Sequence, residues 1–365
     1  MRSVVTDGAE VPGGVEHAVA VPGVPGVEDP VRLAKWMAGA GLADLGELRS
    51  VQLIAGGRSN LTYRLDLAAG RVVLRRPPLG HVLPTAHDMS REYRVLSALQ
   101  HTAVPVPTPL ASCQDTDVIG APFYLMRYVD GQVLRTVQDG ERLTEQQAAD
   151  VSELLASMMA TIHGVDLAAA GLETFGKPDG YLARQLNRWQ RQWELSNTRD
   201  MPGYAELVQR LTAGLPASAE GTLVHGDFRL DNTLIRLDEP TRIAAVVDWE
   251  MSTLGDPLAD LGLTLSYWAD PGEVFPDINL GASITALPGF CTRAEFAARY
   301  SELTGRDVSE VGYYIAFGHF KLAVVLEGIH ARFLQNKTVG EGFEREGQAV
   351  PVLIARAHHM LDTVG

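Results

Sequence analysis

The chain has 365 residues, 46% of them hydrophobic and 21% charged, proportions of a folded protein that is long for one core and is expected to form two lobes. A formal charge of −14 argues against non-specific binding to nucleic acid or to an anionic membrane, and no apolar run approaches the roughly 18 residues of a membrane span. The 2 cysteines, Cys113 and Cys291, give neither a disulfide framework nor metal-ligand spacing, and no continuous apolar stretch follows Arg2, so a reduced, cytoplasmic protein is expected.

Residues 1–27 are rich in Gly, Pro and Val without periodicity and read as a tail. A helix is expected over Val31–Ala40, then strands over Val51–Ala55 and Leu61–Leu67, joined by Gly56-Gly57-Arg58-Ser59-Asn60. Successive glycines let backbone N–H groups approach an anion closely, which makes Gly57, Ser59 and Asn60 candidate phosphate contacts, although such a hairpin turn needs no ligand. A third strand, Arg71–Arg76, places Val73 and Arg75 on one face and Arg76 on the other, where a solvated charge is expected. The loop Pro77–Thr85 leads to a helix over Ala86–Leu99 that carries Glu92 between Arg91 and Arg94; His81 and His87 are read as bystanders. Strands Leu110–Cys113 and Phe123–Tyr128 close the β-rich part before Val129-Asp130-Gly131.

Helices dominate afterwards. Thr144 and Gln147 form a capping box opening a helix that ends at His163, with Ala148, Val151, Leu155, Met159 and Ile162 as its core stripe. A helix from Gly180 to about Ser196 has Leu182, Leu186, Trp189 and Trp193 on one face and Arg184, Arg188 and Arg191 on another. A solvated basic face explains such a row, and so does an anionic substrate. The stretch Leu223–Asn232, LVHGDFRLDN, is followed by strands Thr233–Leu237 and Ile243–Val247 and then by Asp248. Asp256 before Pro257 is an N-cap and N1 pair; with Asp260 one turn on, both read as braces of the loop around Asp227. A Pro/Gly-rich insertion over Pro271–Gly289, a capping box at Thr292–Glu295 and helices Arg293–Leu303, Val308–Gln335 and Phe343–Leu361 complete the chain.

Asp227, Asn232 and Asp248 reproduce the spacing of H-R-D-x-x-x-x-N and D-F-G in protein kinases. With His225-Gly226-Asp227 and Asp248-Trp249-Glu250 as the variants, the segment resembles the aminoglycoside phosphotransferase family, small-molecule kinases that share the protein-kinase fold. The wording of VLRRPPLGHVLPTAHDMSREYRVLSAL and VVDWEMSTLGDPLADLG is similar to a subgroup that includes the kinase-like domain attached to certain acyl-CoA dehydrogenases. The resemblance implies an α+β, two-lobed protein-kinase-like fold, with a small β-rich N-lobe over 28–129 and a larger, mainly helical C-lobe over 130–365. It implies ATP and Mg²⁺ as cofactors and a small hydroxylated acceptor, a CoA thioester among the candidates. Asp227 would orient the acceptor hydroxyl, Asn232 and Asp248 would hold Mg²⁺, and Arg75, standing where kinases carry lysine, would position phosphates with Glu92. Met126 and Tyr128 would lie on the hinge, offering backbone groups to adenine, and the turn bearing Gly57, Ser59 and Asn60 would cover the phosphates.

Aminoglycosides are polycations, so the row Arg184, Arg188 and Arg191 argues against them and for an anionic substrate. Alternatives remain: an aminoglycoside or choline-type phosphotransferase, a nucleotide-binding module without turnover, suggested by Arg75, and a metal-dependent hydrolase built on His225, Asp227 and Asp248. The hydrolase needs more His ligands than the motif supplies. No dehydrogenase segment accompanies the motifs, so flavin chemistry is not expected of this chain.

Overall fold

The structure, a computed structural model, describes residues 21–54, 60–79, 88–217, 220–238, 240–273, 284–335 and 346–363. Strands β1 (Leu48–Leu53), β2 (Leu61–Leu67), β3 (Gly70–Arg76), β4 (Pro109–Cys113) and β5 (Phe123–Arg127) form an antiparallel sheet in the order β1-β2-β3-β5-β4. Successive side chains of β3 point to opposite faces and so enter different cores. Val72 and Leu74 pack with Leu33 and Met37 of helix α1 (Pro30–Met37). Val73 packs with Val95, Leu96 and Leu99 of helix α2 (Met89–Leu99). Asp88 caps α2 by accepting from the backbone N–H of Arg91. The start of that helix as expected from Ala86, with His81 and His87, lies outside the described residues.

Two expectations for this lobe are corrected. Arg76 does point away from Arg75, but it is buried rather than solvated, and its guanidinium donates to the carbonyls of Gly26 (2.6 Å), Ile119 (2.8 Å) and Pro77 (3.2 Å). A guanidinium offers five N–H donors, so backbone carbonyls can replace the water it loses. The stretch read as tail up to residue 27 is likewise packed at its end: Val27 is fully buried, and Tyr63 Oη donates to the Pro25 carbonyl at 2.6 Å.

The second lobe is helical: α3 (Val137–Gly140), α4 (Glu145–His163), α5 (Tyr181–Ser196), α6 (Tyr204–Ala213), α7 (Pro257–Ser266), α8 (Arg293–Thr304), α9 (Val311–Leu334) and α10 (Glu346–Asp362). The capping boxes at Thr144/Gln147 and Thr292/Glu295 and the Asp256–Pro257 start form as expected. Helix α6 was not foreseen, because it begins at Gly203 with no side-chain cap to announce it. One core runs from Val73 and Met126 of the sheet through Leu134, Leu155 and Phe175 to Trp249 and Trp268, so the two lobes share packing. A second core joins α5, α6, α9 and α10. Helices α7 and α9 approach closely because they meet at Gly262 and Gly318; a Cβ at Gly262 would collide with the Tyr314 backbone. Among the described residues no helix is long and apolar enough to cross a membrane.

The loop between α5 and α6 is fastened by Glu327, a fully buried carboxylate of α9. It accepts from Thr198 N (3.0 Å) and Thr198 Oγ1 (2.7 Å) and pairs with Arg199 (2.9 Å), which also reaches the Gly347 carbonyl. Glu327→Ala leaves these donors without their acceptor, and because Thr198 and Arg199 are exposed and can turn to water, the loss should be about 1–2 kcal/mol. A urea unfolding curve with unchanged slope and a lower midpoint is the expected result.

Candidate active site

Strand β6 (Thr222–Val224) leads into the LVHGDFRLDN loop and pairs with β9 (Thr253–Gly255). Between them the hairpin of β7 (Thr233–Arg236) and β8 (Arg242–Val246) brings the chain back. At its open end Val247 N donates to the Asn232 carbonyl at 2.9 Å, which sets Asn232 beside Asp248. Asp248 has φ 67°, the left-handed region, and is the one non-glycine residue with positive φ among the described residues. Aspartate tolerates that region better than most side chains, at some cost in strain.

Asn232 Nδ2 donates to Asp227 Oδ2 (3.0 Å) and to the Asp227 carbonyl (2.8 Å). The amide oxygen of Asn232 is thereby the atom left for a cation, along with the Asp248 carboxylate. Tyr267 Oη donates to Asp227 Oδ1 at 3.4 Å, and Arg229 Nε lies 3.5 Å from Oδ2. Burial disfavours the Arg229 charge, but Asp227 and Asp231 more than offset this and raise its pKa. Arg229 also pairs with Asp231 (3.0 Å) and stacks over the Tyr267 ring at 4.9 Å. The sequence reading missed Arg229 and Tyr267; the sole hint for Arg229 was its place two residues after Asp227.

Arg75 and Glu92, distant in sequence from the loop, meet it at Asp248 and Trp249. Arg75 Nη2 lies 2.6 Å from Asp248 Oδ1, and Arg75 Nε lies 3.2 Å from Glu92 Oε2, a charge contact without hydrogen-bond alignment. Burial disfavours the Arg75 charge, yet the carboxylates of Glu92 and Asp248 outweigh it and hold the guanidinium well above its ordinary pKa. Burial pushes the Glu92 carboxyl up to about 7, with Arg75 opposing. Glu92 Oε1 accepts from Trp249 N (3.2 Å), so one side chain fixes both the cation and the backbone after Asp248. Its neighbour Arg91 binds α2 to the helical lobe through the carbonyls of Phe175 (2.7 Å) and Ser252 (3.1 Å).

Asn60 does not stand free in the cleft: it is buried, and its Nδ2 donates to Glu250 Oε2 at 2.7 Å, tying the end of the glycine turn to the residue two beyond Asp248. Gly57 and Ser59 lie outside the described residues. Met126 is buried opposite Val73 in the sheet. Tyr128 gives its N–H to the Arg71 carbonyl (3.3 Å), and Arg71 stacks on its ring at 4.2 Å. That amide is therefore engaged within the lobe, a departure from the free hinge donor expected there.

Arg184, Arg188 and Arg191 are all exposed along α5. Arg184 turns back to the carbonyls of Lys177 and Asp179 and caps the chain before its own helix. Arg188 lies 5.3 Å from the Trp189 ring, and Arg191 is exposed. A cation unforeseen in the sequence reaches the loop from α9: Lys321 Nζ donates to the Gly226 carbonyl at 2.8 Å and lies 5.6 Å from the Trp189 ring. It is the first charged side chain of α9, after an N-terminal half without charge, and that is the signal that could have found it.

Asp260 braces the loop from below. Oδ2 accepts from His225 N (2.7 Å) and Oδ1 from Gly226 N (2.8 Å), while His163 Nε2 lies 3.3 Å from Oδ2. His225 Nε2 lies 3.0 Å from the Val247 carbonyl and Nδ1 accepts from Asp227 N (3.3 Å). Both ring nitrogens are occupied, so His225 supports the loop and is no candidate metal ligand. Among the described residues no group of three or more His, Cys, Asp or Glu side chains converges as a metal site.

The pattern that defines the phosphotransferase enzyme family matches residues 50–296. Mouse acyl-CoA dehydrogenase family member 10 is 37% identical over 296 residues, 80% of this chain and 27% of that protein. Chicken acyl-CoA dehydrogenase family member 11 is 36% identical over 298 residues, 78% of this chain and 37% of that protein. The chain thus spans about a quarter to two fifths of the length of these relatives, 27% and 37% respectively. A crystal structure from Ralstonia eutropha, described provisionally as an aminoglycoside phosphotransferase, superposes with a TM-score of 0.77 at 31% identity, over 92% of this chain and 98% of that one. Aminoglycoside phosphotransferase APH(4)-Ia, in a ternary complex of a thermostable mutant with ADP and hygromycin B, shares the fold at a TM-score of 0.59 and 16% identity, over 91% of this chain and 98% of that one.

Proposed function

We propose that this chain, which belongs to the phosphotransferase enzyme family, transfers the γ-phosphate of Mg²⁺·ATP to the hydroxyl of a small acceptor, and that the acceptor is a hydroxyacyl-CoA. The observation that carries the reading is the meeting of Asp227 and Asn232 with Asp248 and Arg75, from three separate parts of the chain. Asp227 stands ready to orient an alcohol and accept its proton, with its two oxygens placed by Asn232 and Tyr267. The donor set fits a hard cation: the Asn232 amide oxygen and the Asp248 carboxylate are oxygen ligands, and Mg²⁺ is commonly held by one or two carboxylates together with substrate phosphates. When bound, Mg²⁺ would neutralise charge between the β- and γ-phosphates. Arg75 is placed to follow those phosphates as a fixed, always protonated fork.

The acceptor class rests on two supports. The relatives at 37% and 36% identity are named as acyl-CoA dehydrogenase family members. Arg229 and Lys321 flank the loop at Asp227, and cations there suit an anionic acceptor better than a polycation.

The test is γ-phosphate transfer to 3- and 4-hydroxyacyl-CoAs, choline and an aminoglycoside, from ATP and from GTP, with Asp227→Ala as control. Transfer to a hydroxyacyl-CoA that the control lacks is the expected result. Preference for choline or the aminoglycoside overturns the acceptor assignment. Nucleotide binding without transfer to any of them favours a binding module that does not turn over.

A further inference from the structure

We infer that Lys321 of α9 is a positioning residue for phosphoryl transfer, fixing through the Gly226 carbonyl the peptide that carries Asp227. This presupposes the phosphotransferase reading above, and adds to it a helix 95 residues downstream of the loop.

The backbone polar groups just before Asp227 are held from three directions. Asp260 of α7 takes the N–H groups of His225 and Gly226, the His225 ring takes the N–H of Asp227, and Lys321 takes the Gly226 carbonyl. Gly226 has φ +80°, and a Cβ there would collide with the Met251 backbone, so the peptide is wedged in an orientation that a side chain would forbid. A carbonyl so turned needs a donor, and Lys321 Nζ supplies it at 2.8 Å.

The setting of Lys321 is unusual for a lysine with a merely solvated role. The helix around it presents Phe317, Phe320, Leu322, Ala323 and Val324 as buried residues. Burial lowers the Lys321 pKa, and the carboxylates of Asp227 and Asp260 oppose that shift while Arg188 adds to it. The ammonium therefore shares its field with the reacting carboxylate as well as holding its backbone. An ammonium is a compact point charge with rotatable donors, suited to a single carbonyl between two carboxylates.

Lys321→Met removes the donor while keeping the length of the stem, and Lys321→Arg keeps a cationic donor. With wild type, Asp227→Ala and both variants assayed on the best acceptor of the panel, kcat of Lys321→Met should fall on the order of 10- to 100-fold, the scale of a misplacement near 1 Å. Its KM for ATP should stay within about twofold, as for a residue that acts in the transition state and not in ground-state binding. Lys321→Arg should recover part of the lost kcat. Nucleotide-induced thermal stabilisation, measured on the same samples, verifies that the variants are folded. Unchanged kcat in Lys321→Met overturns the role, and so does a fall in kcat matched by an equal loss of nucleotide binding, the mark of a structural brace. If wild type transfers phosphate to no acceptor while it binds nucleotide, the phosphotransferase reading itself fails, an outcome distinct from either.

Discussion

Asp227→Asn should lower kcat by about 10³-fold, within the range associated with loss of a general base, while leaving the nucleotide KM nearly unchanged. The amide keeps the size of the carboxylate but cannot take the acceptor's proton. Asn232 Nδ2, now 3.0 Å from one carboxylate oxygen, would keep the amide oxygen as its acceptor, and Tyr267 Oη, now 3.4 Å from the other, can accept from the new amide NH2, so the loop should keep its shape. Steady-state kinetics with the acceptor and ATP varied separately read both parameters. Retention of full turnover would remove Asp227 from the chemistry and with it the reason for grouping Asn232 and Asp248 around it.

Asp260→Ala should cost more in stability than any other substitution in the loop, about 3–5 kcal/mol, because three buried groups lose one carboxylate at once. These are the N–H groups of His225 and Gly226 and the His163 ring, which on its other side contacts Tyr300 Oη at 2.7 Å. Turnover should fall too, since the peptide before Asp227 loses two of its anchors. Burial by itself would raise the Asp260 carboxyl, but its hydrogen bonds with His163 and with the His225 amide, and the imidazoles beside it, outweigh this and leave it below its ordinary value of 3.8. A carboxyl depressed in the folded state contributes stability that is complete above its unfolded pKa and is lost as pH falls through the folded one. The stability difference between wild type and Asp260→Asn should therefore be level above about pH 5 and shrink below about pH 4. Urea unfolding across that range tests the sign. A difference that grows on acidification would contradict the placement of an ionised Asp260 under the loop.

What was legible in the sequence is what depends on neighbours in the chain. The strand Leu61–Leu67 and the start of α7 at Asp256–Pro257 follow from alternation and capping, which are local. The same is true of Asp227 and Asn232, whose five-residue spacing already puts one amide within reach of one carboxylate. Asp248 could be ranked with them because a hairpin of two short strands returns the chain to its start. Arg75 and Glu92 were reachable only through the resemblance, since nothing local says that β3 and α2 face the loop.

The rest was decided by packing. Arg76, Arg184 and Lys321 are each a long cation on an element whose own pattern marks it as an ordinary surface or core residue. Their partners, the carbonyls of Gly26 and Ile119, of Lys177 and Asp179, and of Gly226, are backbone groups that every residue carries and that leave no trace in residue type. A buried charge must find compensation somewhere, but the fold chooses which carbonyl supplies it. The sequence by itself determined the motif, its order and the elements that bear it; only the tertiary structure decided which cations close on the loop, because hydrogen bonding to the main chain is set by proximity and not by identity.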